Sequence, residues 1–211
     1  MKIIKTFESF EEEMEYTFDE LSQDAKDHAI EKERSSMDDT MGDWWYEGII
    51  EDETEKLKDE GFEDVDIQFS GFHSQGDGAS FTGRVTDIKL FVKETLGMKK
   101  MNDQVLDNIE ISIVRTDTRH VHENSVRLDC EVDGEEEIVL FRSPGSNLDI
   151  KISVDSQCRN IEEAGSPWVK SRCKEIYSKL NKEHDSYFED EHIIADIKAN
   201  DYKFDKNGNI I

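Results

Sequence analysis

The sequence predicts an α+β protein, and three observations predict it. Helical apolar spacing dominates both ends of the chain, period-two alternation dominates the middle, and no strand–helix–strand repetition of a doubly wound sheet is present. The expectation is a central, antiparallel, hairpin-rich sheet with helices from the N-terminal and C-terminal thirds packed against it. One domain is expected over 1–211, divided into an acidic helical part (1–61), a mainly β part (62–154) and a helical part with a short final strand (155–211).

Taken in order, Thr17-Phe18-Asp19-Glu20 has the Thr-x-x-Glu form of a capping box, and Leu21, Ala25 and Ala29 follow at four-residue spacing. Ser35 to Gly42 reads as a polar connection. A second helix is expected from Asp43 to Glu60, with Trp45, Ile49 and Leu57 sharing a face and Gly61 as its stop. Phe62–Phe69 alternates as a half-buried strand, with Val65, Ile67 and Phe69 on one side, and Ala79–Ile88 reads as the next strand. A short helical segment near Ile88–Leu96 precedes Ile109–Ile113, which alternates again. Val126–Val132 and Glu137–Phe141 flank Asp133-Gly134, a hairpin signal because both turn residues tolerate positive φ. A turn at Ser143–Asn147 and a strand at Ile150–Val154 follow. Ser166-Pro167 reads as a helix start, and Val169, Cys173, Ile176, Tyr177 and Leu180 form its apolar stripe. Ser186–Glu189 reads as a second capping box, before a helix buried through Phe188, Ile193, Ile194 and Ile197. A strand-like Tyr202-Lys203-Phe204 leads into a turn at Asp205–Asn209.

Charge restricts the partners. The net charge is −25, and residues 1–70 hold 24 acidic and 7 basic side chains, so that third carries most of the excess. Such a surface repels nucleic acid and anionic membrane and favours basic partners or cations. The longest basic cluster is Lys99-Lys100, so neither direct nucleic-acid binding nor membrane binding is expected. The opening residues lack the apolar run of a signal peptide, and no stretch approaches the roughly 20 apolar residues of a membrane span. Three cysteines, Cys130, Cys158 and Cys173, are an odd number without a CxxC pair, which favours reduced thiols.

Two groups of residues carry possible chemistry. Ser70, Gly71, His73, Ser74, Gln75, Gly76, Asp77, Gly78 and Ser80 form a glycine-rich loop with hydrogen-bonding side chains, suited either to cradling a ligand or to a tight β-connection packed by Phe72 and Phe81. No Gly-Lys-Ser/Thr follows it, so it is not a P-loop. His120 and His122 point to one face if their segment is extended. With His73 or Asp77 they would then supply ligands for a divalent transition metal. No nucleophilic triad is legible.

The stretch Ser70–Gly83, SGFHSQGDGASFTG, resembles a motif in a widespread group of uncharacterised bacteriophage proteins. Similar flanking segments are Phe18–Lys26 and Ala199–Phe204. The resemblance implies phage origin and a shared fold, and it transfers no activity; with neither a signal peptide nor a membrane span expected, the expected location is the cytoplasm of the bacterial host.

The acidic helix gives the leading functional expectation. Glu47, Glu51 and Glu55 recur every four residues, placing carboxylates about 6 Å apart on one ridge, and Asp52 and Asp59 extend it. The expected role is non-enzymatic: a polyanion-mimicking surface that binds and inhibits a host nucleic-acid-handling or defence protein with a basic surface, with Trp44 or Trp45 as an aromatic anchor. The alternative is nucleotide sequestration or metal-dependent hydrolysis at the glycine loop and the His120/His122 segment.

Overall fold

The computed structural model describes residues 14–42, 44–72, 74–117, 119–142 and 149–211, without the side chains of Asp39, Trp44 and Arg142. The protein is α+β, and its described residues form six α-helices, a four-stranded antiparallel sheet and a separate two-stranded ribbon. It divides into two compact units. The larger is Tyr46–Lys182; the smaller combines residues up to Trp45 with Glu183–Ile211.

In the larger unit, β1 (Phe62–Phe69), β2 (Ala79–Val85), β3 (Ile109–Arg115) and β4 (Val126–Val132) form a meander in sequence order. Ile109, Ile111 and Ile113 of β3 are buried, as are Val126, Leu128 and Cys130 of β4, so the alternation in the sequence marks the covered face. β1 keeps Val65, Ile67 and Phe69 half-buried, but a bulge between Glu63 and Asp66, with Asp64 at φ +54°, interrupts it after the buried Phe62. Between β2 and β3, α3 (Ile88–Leu90) continues into a π-turn (Phe91–Thr95), and α4 (Asp103–Leu106) follows. Together they bury Phe91, Val92, Val105 and Leu106.

The helix expected to start at Ser166-Pro167 starts twelve residues earlier. α5 spans Val154–Tyr187, with Ser153 Oγ accepting the Ser156 N–H at its start. The eight buried positions from Val154 to Leu180 recur at intervals of three and four through Pro167, which is exposed. The five aliphatic side chains among them, Val154, Ile161, Val169, Ile176 and Leu180, each gain roughly 1.5–3 kcal/mol on burial, so together they outweigh the ~3 kcal/mol cost of an interior proline. Trp168 of α5 stacks on Phe62, ring centroids 5.8 Å apart, and meets Phe81 and Phe91 edge-on. At Gly165 an added Cβ would lie 2.4 Å from Leu128 Cδ1, so the glycine permits the close approach of α5 to β4.

The expected Asp133-Gly134 hairpin does not form. β4 pairs with β3, and β5 (Glu137–Arg142) pairs instead with β6 (Asp149–Ser153). Asn108 captures the connection: its carbonyl oxygen accepts Asp133 N–H at 2.9 Å and its Oδ1 accepts Glu135 N–H at 2.7 Å. Gly134, at φ +142°, leaves room for Asn108 rather than closing a two-residue turn. The turn expected at Ser143–Asn147 lies outside the described residues.

Helix α2 (Trp44–Asp59) ends at Gly61, at φ +94°, as expected, and buries Leu57 and Glu53. In the smaller unit the Thr17–Glu20 capping box is present, Glu20 Oε2 accepting the Thr17 N–H at 2.8 Å, but it closes only a 3-10 turn. α1 (Gln23–Thr40) begins with Ser22 as its cap and runs through the segment expected as a polar connection. Phe18, Leu21, Ala25, Ala29 and Ile30 pack with Ile193 and Ile197 of α6 (Asp190–Ala199) and with Phe204. The second capping box is absent because Ser186 is still inside α5, donating from Oγ to Glu183 O. Phe204 bridges to Tyr16 and to Ile210 around the expected Asp205–Asn209 turn. There the Asp205 carboxylate accepts from Asn209 and Asn207, which hold its pKa down at about 2. Among the described residues no helix is long and apolar enough to cross a membrane.

Candidate functional site

The glycine loop joins β1 to β2 and is closed by its own polar groups. Ser70 N–H donates to Gly78 O at 3.0 Å, and Ser70 Oγ accepts the Gly78 N–H at 3.0 Å. Asp77 Oδ2 accepts the Ser74 N–H at 2.7 Å, and Gly76 supplies the positive φ (+101°) that this turn requires. Gly78 is required for a different reason: a Cβ there would lie 2.6 Å from His122 Cβ. Aromatic side chains brace the loop, with Phe72 stacked on Tyr177 (5.6 Å) and on Phe69 (5.8 Å), and Tyr177 OH donates to Gly71 O at 3.3 Å. Ser74, Gln75 and Gly76 face solvent, whereas Ser80 is fully buried on β2. His73 lies outside the described residues.

The structure brings His122 against the loop, but the 120–124 segment is not extended. It is the β3–β4 connection, turned by Ser125 N–H donating to His122 O at 2.9 Å. His122 Nδ1 accepts the Asn124 N–H at 3.0 Å, and His120 Nδ1 sits 2.9 Å from Asp117 Oδ2. The two rings remain neighbours, 6.0 Å between centroids, while one nitrogen of each holds the loop conformation. Among the described residues no group of three or more His, Cys, Asp or Glu side chains is placed to hold a metal ion. All three cysteines are free and buried. Burial pushes the Cys173 thiol up to about 12 and, with a hydrogen bond to the Cys158 thiol, raises Cys130, so neither is a ready nucleophile.

The acidic helix is organised differently on its two sides. Glu47, Glu51, Asp52, Glu55 and Asp59 are exposed, and none makes an ion pair among the described residues. The inner side holds Glu53, only 1% exposed, which pairs with Lys56 at 2.6 Å and with Lys179 of α5. Burial alone would raise its pKa; hydrogen bonds from Lys179 and Lys56 hold it below the ordinary value. Arg172 pairs with Glu60 at the end of the same helix. One of the helix's two lysines is thus directed inward, leaving Lys58 against five exposed carboxylates. Glu53 escaped the sequence reading, although its four-residue spacing from Ile49 and Leu57 puts it on the apolar face. Trp45 is half-buried with its ring 5.5 Å from His184, and the Trp44 side chain lies outside the described residues.

A cleft of about 570 Å³ opens elsewhere in the larger unit, between Met98, Lys99, Lys100, Met101, Ile152 and Gln157. Lys99 is paired with Glu94 and the Asn102 side chain caps α4, so two of the cleft's polar side chains are already engaged.

A family model described as a domain of unknown function (DUF8835) matches residues 45–190, which takes in the whole larger unit. No curated protein and no solved structure matches the chain.

Proposed function

The chain belongs to the DUF8835 family, and from that premise we propose that it is a non-enzymatic phage accessory protein that binds and inhibits a basic, nucleic-acid-handling or defence protein of the host. The observation that carries the reading is the uncompensated ridge on α2. Carboxylates at Glu47, Glu51 and Glu55 stand about 6 Å apart, comparable to successive backbone phosphates, while Lys56 and Lys179 are drawn to Glu53. Asp52 and Asp59 widen the ridge. A net charge of −25 far exceeds the magnitude of roughly 2–8 that solubility asks of a small domain. That surplus steers a basic partner from a distance and repels nucleic acid itself. Three buried, unpaired thiols fit a reducing compartment, here the cytoplasm of a bacterial host.

The test is capture of the partner from infected host cells, with the wild type and with a Glu47→Gln/Glu51→Gln/Glu55→Gln variant. The variant should fold and lose most of the partner. Wild-type binding should weaken steeply as salt rises, because exposed charges more than about 10 Å apart are screened at 0.1 M. A complex indifferent to both perturbations would rule out the ridge.

A further inference from the structure

The β5–β6 ribbon carries an apolar face that continues past the body of the larger unit. Residues opposite each other in an antiparallel pair share a face, and the register sets Ile138 opposite Ile152 and Phe141 opposite Ile150, with a bulge between Val139 and Phe141. The first pair meets the core, Ile138 being 5% exposed. The second pair emerges into solvent, Phe141 at 55% and Ile150 at 59% exposed. Val139 and Leu140 are exposed beside them, making this the largest concentration of exposed apolar side chains among the described residues. Two strands alone are marginal in water, and β5 pairs only with β6 among the described residues, so the ribbon presents an open edge as well as an open face. Patches of this kind mark interaction sites.

We infer that a second copy of this chain covers the ribbon, related by a two-fold axis. The charge pattern selects that occupant. β5 reads acidic at Glu137, apolar from Ile138 to Phe141 and basic at Arg142. Two copies set antiparallel therefore oppose acid to base at both ends and apolar to apolar between them, the self-complementarity an isologous interface requires. Across the ribbon the acidic residues Glu137 and Asp149 balance the basic residues Lys151 and Arg142, and Glu137 pairs with Lys151 at 2.7 Å. In a chain of net charge −25 this neutral, apolar surface is where a like-charged copy can approach. A basic host protein would be drawn to the acidic ridge instead.

The interface has a salt signature opposite to that of the acidic ridge. Added salt screens the mutual repulsion of two −25 chains and strengthens apolar association, so dimerisation tightens as salt rises. The experiment is sedimentation equilibrium of the full chain at about 0.1 M and about 1 M sodium chloride, where the Debye length falls from roughly 10 to roughly 3 Å. The mass should move from 24.5 kDa toward twice that value, more fully at high salt. Phe141→Ser/Ile150→Ser replaces only exposed side chains and should raise the dimer Kd at least about tenfold, with an unchanged circular dichroism spectrum. A mass fixed at one chain at both salt concentrations overturns the inference. So does a dimer unmoved by the double substitution, or one that dissociates as salt rises.

Discussion

Replacing both Lys56 and Lys179 by Met should destabilise the larger unit by about 3 kcal/mol. Met keeps most of each apolar stem and removes the ammonium, so the perturbation falls on the charge. Both lysines engage Glu53 Oε1, while Oε2 is buried without a hydrogen-bond partner among the described residues. Stripping a buried carboxylate of its partners costs about 3–5 kcal/mol. The lower end applies because the lysines are half-exposed, at 47% and 46%, and solvent already weakens their attraction. Either single substitution should cost less than the pair, about 1–2 kcal/mol. The assay is urea unfolding followed by Trp168 fluorescence in a Trp44→Phe/Trp45→Phe background. Acidity supplies a second readout. In the wild type the depressed Glu53 pKa contributes stability that is present above the unfolded value and lost as pH falls through the folded one. In the double variant burial is left unopposed and raises that pKa, so its deficit should shrink on acidification. Adding Glu53→Leu should recover most of the loss at neutral pH. A double variant within about 0.5 kcal/mol of wild type at neutral pH would refute the claim that this carboxylate depends on its lysines.

In the glycine loop, Gly78→Ala should cost about 1–3 kcal/mol by forcing its Cβ into His122, and Gly76→Ala about 1 kcal/mol through its positive φ, both read by thermal melt. Asp77→Ala should leave partner capture nearly intact; a stable Asp77→Ala protein that has lost capture would make the loop a binding element. Lowering pH from about 4 to about 2 should loosen the Asp205–Asn209 turn as Asp205 protonates, visible as collapse of the Asn207 and Asn209 amide shifts in NMR spectra. Protein purified without chelator should contain no stoichiometric transition metal; zinc-dependent stabilisation abolished by His120→Ala or His122→Ala would revive the metal reading.

The elements legible in the sequence are those whose local signal and tertiary setting agree. The Ile109–Ile113 alternation, the Gly61 stop and the Asp205–Asn209 turn each carry their cause within a few residues. The misread ones depend on distant partners. Pro167 looks like a helix start until the stripe beginning at Val154 is seen buried. Asp133-Gly134 looks like a hairpin until Asn108, some 25 residues earlier in sequence, takes its backbone groups. That misreading also hid the β5–β6 ribbon, because it assigned β5 to the wrong neighbour. Of the acidic helix, the outer ridge was legible as spacing, whereas the inward diversion of Lys56 required α5 to be in place.

The division of the chain has a consequence for biosynthesis. Residues 46–182 are contiguous, so the larger unit can fold as soon as they leave the ribosome. The smaller one cannot: Phe18, Leu21 and Ala25 must wait for Ile193, Ile197 and Phe204. During that interval the apolar side of α1 is left uncovered in the nascent chain.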